Sequence, residues 1–168
     1  MAEDRELLAR VATRDEVAFR RLYDRYATRV FRYALTILGS QHLAEEVVQE
    51  TMVAVWEGAG SFKGSSRVST WIFGIARNQA HALRRRESRG ERVPDEPAVL
   101  PDPAERVEVQ DRVLAAVEEL PPEQREVVFL AFYEGLSYRE IARILGVPEG
   151  TVKSRMYFAK RKLREVLT

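Results

Sequence analysis

An all-α architecture, in two small helical domains joined by a flexible acidic linker, is what this sequence predicts, and three observations predict it. Apolar residues recur at spacings of three and four along most of the 168 residues, and no alternating run reads as a strand. The period is lost for long only over ESRGERVPDEPAVLPDPAE, which holds four prolines and reads as an extended tether. Charge is divided in step with this pattern. Residues 1–93 carry 16 Lys and Arg against 12 Asp and Glu, residues 94–126 carry 3 against 10, and residues 127–168 carry 8 against 4. Two basic modules thus flank an acidic connector inside a net charge of only +1. Basic patches are the footprint of polyanion binding, although a charge run by itself also describes a solvated helix face.

Composition narrows the class. A hydrophobic fraction of 45% with 32% charged residues suits a soluble globular chain, and no apolar run approaches the ~18 residues of a membrane span, so no membrane insertion is expected. There is no cysteine, hence no disulfide and no thiolate metal site. The start, MAEDRELLARVATRDE, lacks the apolar run of a secretory signal, which makes a cytoplasmic location the default expectation.

The elements follow in order. A short helix is expected over Arg5–Ala12, then a long one from about Asp15 with Phe19, Leu22, Tyr23, Tyr26, Val30, Phe31, Ala34, Ile37 and Leu38 as its apolar stripe. Gly39 sits where a left-handed helix end belongs, and Ser40 where the next helix needs a cap. The third helix, His42–Glu57, would bury Ala44, Val47, Val48, Thr51, Met52, Val55 and Trp56 before Gly58-Ala59-Gly60 ends it. SFKGSSRVS, residues 61–69, reads as a loop that Thr70 closes by capping a fourth helix, TWIFGIARNQAHALRRR. On that helix Ile72, Ile75, Ala76 and Leu83 can face the domain, while Arg77, His81, Arg84 and Arg85 form a stripe bordered by Asn78. Phe62, Trp71 and Phe73, interleaved with Lys63, Arg67 and Arg77, supply what a single-stranded nucleic acid takes: faces on which bases stack and cations for the backbone. Core packing is the better reading for Phe73, and Trp71 fits either role.

After the tether, periodicity returns near Glu105 through Val109, Val113, Leu114, Val117 and Leu120, breaks at Pro121-Pro122, and resumes over Glu123–Tyr133 as far as Gly135. The expected division is therefore a first domain over 1–87, a linker over 88–107 and a second domain over 108–168. Ser137-Tyr138-Arg139-Glu140 fits a capping box. The helix it starts runs to Leu145, Gly146 permits a left-handed turn, and Pro148 and Glu149 suit the first turn of the next helix. Ile141, Leu145, Val147 and Val152 fall where two such helices pack, with the small Ala142 at their crossing. This is a helix-turn-helix, whose second helix turns Thr151, Lys153, Ser154, Arg155, Tyr157 and Lys160 outward and has the calibre that a major groove about 12 Å wide admits.

Three stretches also carry a family likeness. AEEVVQETMVAVWEGAGSF, SSRVSTWIFGIARNQAHALRRR and LPPEQREVVFLAFYEGLSYREIARILGVPEGTVKSRMYFAKRKLREVL resemble conserved regions 2 and 4 of bacterial extracytoplasmic-function (ECF) sigma factors, the compact members of the sigma-70 family, over about residues 15–86 and 108–167. The resemblance implies a specificity subunit that joins core RNA polymerase, with the clamp helices of the largest subunit and the flap of the second-largest as its contacts, and it implies no cofactor. It implies that Glu45, Glu46, Gln49, Glu50 and Trp56 dock on the polymerase. The minus-ten element would meet Phe62, Lys63, Arg67, Trp71, Arg77, His81, Arg84 and Arg85, with Asn78 and the neighbouring loop holding a base turned out of the stack, as opened promoter DNA requires. Lys153, Ser154, Arg155 and Tyr157, flanked by Thr151, Lys160 and Arg161, would read the minus-thirty-five element as duplex. The tether would thread near the polymerase active-site channel, and an anti-sigma factor is an implied partner.

Two rivals compete with that reading. His42, Glu46 and Glu50 share a helix face and raise a carboxylate metal site, but the Glu-x-x-His motif that bundle di-iron sites require is missing, so neither metal nor enzymatic activity is expected. A duplex-binding regulator that never joins polymerase would need the helix-turn-helix alone, and has no use for the AEEVVQET surface or the aromatic-basic helix.

Overall fold

Helix α1 spans Ala2–Ala12, starting three residues earlier than the periodicity indicates. The extra turn holds Asp4, whose buried carboxylate accepts a hydrogen bond from the Tyr26 hydroxyl and pairs with Arg25 at 2.5 Å. A carboxylate out of water needs such partners, and here they tie α1 to α2, Glu16–Leu38. Asp15 caps α2 by accepting from the amides of Val17 and Ala18, and Gly39 ends it in the left-handed conformation at φ +69°. The face α2 buries runs Ala18, Leu22, Tyr26, Val30, Tyr33, Ala34 and Ile37. Phe19, Tyr23, Phe31 and Leu38 from the expected stripe are only half-buried at its margins, and Ala18 and Tyr33 take the centre. Tyr33 sits there edge-on to Phe73, with ring centroids 5.5 Å apart.

Ser40 caps α3, Gln41–Gly58, by accepting from the Leu43 amide, and α3 buries Leu43, Ala44, Val47, Val48, Thr51, Met52 and Val55. Trp56, expected in the core, is half-buried. A short 3-10 turn, Ala59–Ser61, leads into the loop, and α4 spans Val68–Ser88. Thr70 does not cap α4: the helix begins two residues earlier because the fully buried Val68 brings the first turn into the core, and Thr70 lies buried inside it. Helices α1–α4 close around one apolar centre in which Phe73, Ile72, Ala76 and Ala80 are essentially without exposure.

The chain divides into two compact units, Met1–Pro97 and Ala98–Thr168, and the structure, a computed structural model, describes residues 2–90 and 108–167. The tether expected over 88–107 lies, from residue 91 on, outside the described residues; Ser88 itself completes α4. In the second unit α5 is Glu108–Glu118 and α6 is Pro122–Val128, with Pro122 at the first helical position, where its missing N–H costs nothing. The expected helix over Glu123–Tyr133 is not continuous. Phe129–Tyr133 widens into a π-helical turn, in which the Glu134 amide donates to the Phe129 carbonyl at 3.3 Å. Val113, one of the apolar residues that carry the period here, is exposed.

Helix α7, Tyr138–Leu145, has the capping box complete: Ser137 accepts from the Glu140 amide and Glu140 accepts from the Ser137 amide, both at 3.1 Å. Gly146, at φ +67°, makes the turn into α8, Glu149–Leu167. Ile141, Ile144, Leu145, Val152, Met156 and Ala159 are buried where α7 and α8 pack, while Val147 and Ala142 sit half-exposed at the seam. Among the described residues there is no strand, and no helix is long and apolar enough to cross a membrane.

Candidate nucleic-acid interface

The outward face of α4 is built around the indole of Trp71. It is half-buried, packs on Phe62 with centroids 5.4 Å apart, and so joins the loop to the first turn of the helix. Phe73, two residues on, points the other way into the core beneath Arg29, whose guanidinium lies over the rings of both Tyr26 and Phe73. One face of α4 therefore anchors it and the other is turned outward. At 100° per residue Trp71, Gly74, Asn78, Ala82 and Arg85 fall on one line opposite the buried residues. Asn78 and Arg85 are exposed on it, and Gly74, with open space above it, leaves the line flat between Trp71 and Asn78. Gly74 escapes sequence reasoning because a glycine within a helix ordinarily signals only lower stability.

Lys63 and Arg67 are exposed in the loop, Arg67 at the cap position of α4. Arg77 and His81 are half-buried along the flank. Arg84 differs from its neighbours: it is part-buried and donates to the Ile37 carbonyl at 2.6 Å, satisfying the last turn of α2. Its guanidinium secures two helices to each other as well as adding positive charge to the stripe.

A second surface of different chemistry lies on α3. Glu45, Gln49 and Glu50 are exposed and Glu46 is half-buried. Gln49 and Trp56 line an open groove of about 730 Å³ between α2 and α3, floored by Phe19, Tyr23, Met52 and Val53. Val53 is 50% exposed, an apolar side chain in a groove whose charged edge is formed by Glu16 and Arg20. Arg14 holds Trp56 in place, donating to its carbonyl at 2.5 Å with the guanidinium 5.1 Å from the ring centre, while Phe19 meets the indole edge-on at 5.2 Å. The contribution of α2 to this groove is hidden in the sequence, where Phe19 and Tyr23 fit a core stripe.

In the second unit, α8 buries Val152, Met156 and Ala159 and turns Lys153, Ser154, Tyr157, Lys160 and Arg161 to solvent; Thr151 and Arg155 are half-buried. Arg161 also forms an exposed ion pair with Glu165 at 3.8 Å, of the kind worth little in water. Phe158, half exposed, adds an aromatic edge beside Tyr157 at 5.3 Å.

Sequence comparison meets this layout at both units. Residues 22–90 match the family described as Sigma-70 region 2, and residues 110–163 match Sigma-70, region 4. The ECF RNA polymerase sigma factor RpoE of Cereibacter sphaeroides is 36% identical over 160 residues, covering 90% of this chain and 87% of that protein. The chain belongs to the ECF sigma factors. Within that family it is also 36% identical to SigL of Mycobacterium tuberculosis over 164 residues, covering 93% of this chain and 92% of SigL. Two solved structures share its fold at 28% identity. One is CnrH in complex with the cytosolic domain of CnrY, with a TM-score of 0.73 and coverage of 98% of this chain and 97% of that one. The other is the sigma factor RpoE of Bartonella quintana in complex with the anti-sigma factor NepR, with a TM-score of 0.74 and coverage of 89% of this chain and 96% of that one. For this sigma factor, the region 2 match takes in α3, the loop and α4, and the region 4 match takes in the helix-turn-helix.

Proposed function

We propose a division of labour within this sigma factor, which directs transcription initiation with core RNA polymerase. The first unit, over residues 1–87, docks on the polymerase clamp through Glu45, Glu46, Gln49, Glu50 and Trp56 and captures the opened minus-ten strand on α4 and its loop. The second unit, over 108–168, reads the minus-thirty-five duplex with α8 and contacts the flap. The supporting observation is that the first unit carries two exposed faces of different chemistry: Glu45, Gln49 and Glu50 on α3 beside an apolar groove that α3 shares with α2, and an aromatic, basic line on α4. An acidic surface repels DNA phosphates and suits a protein partner, whereas bases can stack on Phe62 and Trp71 while Lys63, Arg67 and Arg85 meet the backbone. A base held by Asn78 offsets the few kcal/mol that unstacking costs. The chain acts by recognition, and no chemical step is assigned to its residues. A cytoplasmic location and inhibition by an anti-sigma factor belong to the same reading, the latter supported by the NepR complex of the Bartonella relative.

Run-off transcription tests it. Core polymerase plus this chain should initiate at selected promoters where core alone is inert, and Asn78→Ala should impair opening and minus-ten selectivity while core association stays intact. Equal transcript with and without the chain, with duplex binding retained, would leave a helix-turn-helix regulator instead. Loss of core association in Asn78→Ala would mean that α4 belongs to the polymerase interface and not to DNA.

A further inference from the structure

The loop between the 3-10 turn and α4 carries Phe62 and Lys63, yet it is short of apolar anchors of its own: Gly64-Ser65-Ser66 follows at once. What crosses it is a side chain from the far end of the sequence. Arg5, on α1, donates from Nη2 to the carbonyl of Gly64 at 3.2 Å and to that of Ser66 at 3.4 Å. Its Nη1 stands at ordinary van der Waals distance, 3.6 Å, from where a Cβ on Gly64 would be, and Gly64 adopts φ +73°. The base of this arm is fixed. Asp4, its neighbour, is locked to Arg25 and Tyr26 of α2, and α1 packs against the 3-10 turn that precedes the loop.

From this geometry we infer that Arg5 is a positioning residue for minus-ten capture: it pins the loop carbonyls so that Phe62 stays against Trp71 and the space beside Asn78 stays preformed. The inference rests on the reading of that face as the minus-ten surface. Both bonds leave the one Nη2, whose two N–H bonds are fixed in the guanidinium plane, whereas the ammonium of a lysine turns freely on its flexible stem. The two bonds are exposed to water and contribute little to global stability. Their effect falls on the loop, since an unpinned loop must be ordered again at the moment the base enters.

The test uses full-length chain and holoenzyme, comparing Arg5→Ala and Arg5→Lys with the parent. In the free chain, hydrogen exchange of the amides over residues 62–67 should rise in Arg5→Ala, partly so in Arg5→Lys, with thermal unfolding unchanged. In holoenzyme, open-complex formation on a responsive promoter should fall roughly ten-fold in Arg5→Ala, which loses both exposed bonds to the loop. The preference for that promoter over its single-base minus-ten variants should shrink with it, while core association and binding of a minus-thirty-five duplex hold. Unchanged loop exchange in Arg5→Ala overturns the pinning. Faster exchange with selectivity intact overturns the positioning role. Asn78→Ala, run in parallel, separates the two levels: selectivity lost there but kept in Arg5→Ala sinks only the role of Arg5, whereas selectivity kept in both sinks the minus-ten reading of the face and this inference with it.

Discussion

Helices α4 and α8 both turn basic and aromatic side chains outward, but the segments that lead into them are held in different ways. The turn that leads into α8 is fixed locally, with Ser137 and Glu140 closing the start of α7 three residues apart and the amides of Gly146 and Val147 both returning to the Ala142 carbonyl, and α8 then packs on α5, α6 and α7. The face of α4 depends on residues far away in sequence. Arg5 reaches Gly64 across 59 positions, Arg84 reaches Ile37 across 47, and Phe73 is seated by Tyr33 and Arg29 from α2. A duplex is already rigid, so a straight helix of exposed side chains meets it. A separated strand has no shape of its own, and a surface that captures one must bring the order itself.

Removing the support should therefore hurt the first unit most. Phe73 is fully buried at the junction of α4 with α2, and Phe73→Ala should destabilise the unit by about 3–5 kcal/mol. Both tryptophans, Trp56 and Trp71, belong to this unit, so the midpoint of their emission change in urea reports it directly. A shift below about 1 kcal/mol, on the scale of surface substitutions, would mean that the ring is not the anchor.

The Asp4–Tyr26 brace gives a pH signature. Burial, and then the hydrogen bond to Asp4, push the Tyr26 phenol above its ordinary value of 10.0. The folded state thus keeps a proton that the unfolded chain gives up, so this stability is complete below pH 10 and is lost as pH rises through the folded pKa. The loss approaches roughly 1.4 kcal/mol per pH unit once the unfolded phenol is ionised. Tyr26→Phe should flatten the alkaline fall in first-unit stability; identical slopes for parent and variant would remove the brace from the account. The local cap of α7 should yield less: Ser137→Ala costs about 1 kcal/mol of second-unit stability, read by denaturant unfolding followed on that unit, and leaves the tryptophan transition where it was.

The same contrast explains which features are legible in the sequence. Caps at Asp15, Ser40 and Ser137, left-handed ends at Gly39 and Gly146, and the buried phase of α7 against α8 follow from neighbours within four residues, and local chemistry predicts them. Thr70 looks like a cap because it follows a Ser-rich loop, whereas burial of Val68 against other helices starts α4 earlier. The π turn at Phe129–Tyr133 leaves no mark in a period count. Of the candidate surfaces, the exposed positions on α8 can be read from spacing, but the groove shared by Phe19, Tyr23 and Val53 and the two fastening arginines, Arg5 and Arg84, exist only once helices distant in sequence meet.

The smallest expected effect bears most directly on duplex against strand. Each phosphate that a variant no longer neutralises lowers the slope of log K against log salt by roughly 0.9 on duplex DNA and by roughly 0.7 on a single strand. Lys160 on α8 and Arg85 on α4 are both exposed. In holoenzyme, Lys160→Ala should reduce the slope for a minus-thirty-five duplex by about one phosphate and leave that for an opened minus-ten strand untouched, with Arg85→Ala doing the converse. The two effects should add in the double variant, since the residues lie in separate units. Tyr157→Ala serves as the control: an uncharged side chain can change affinity but releases no counterion, so its slope should match the parent. If Arg85→Ala lowered the slope on closed duplex instead, α4 would be gripping double-stranded DNA in the way proposed for α8, and the need for a pre-ordered loop held from α1 would disappear.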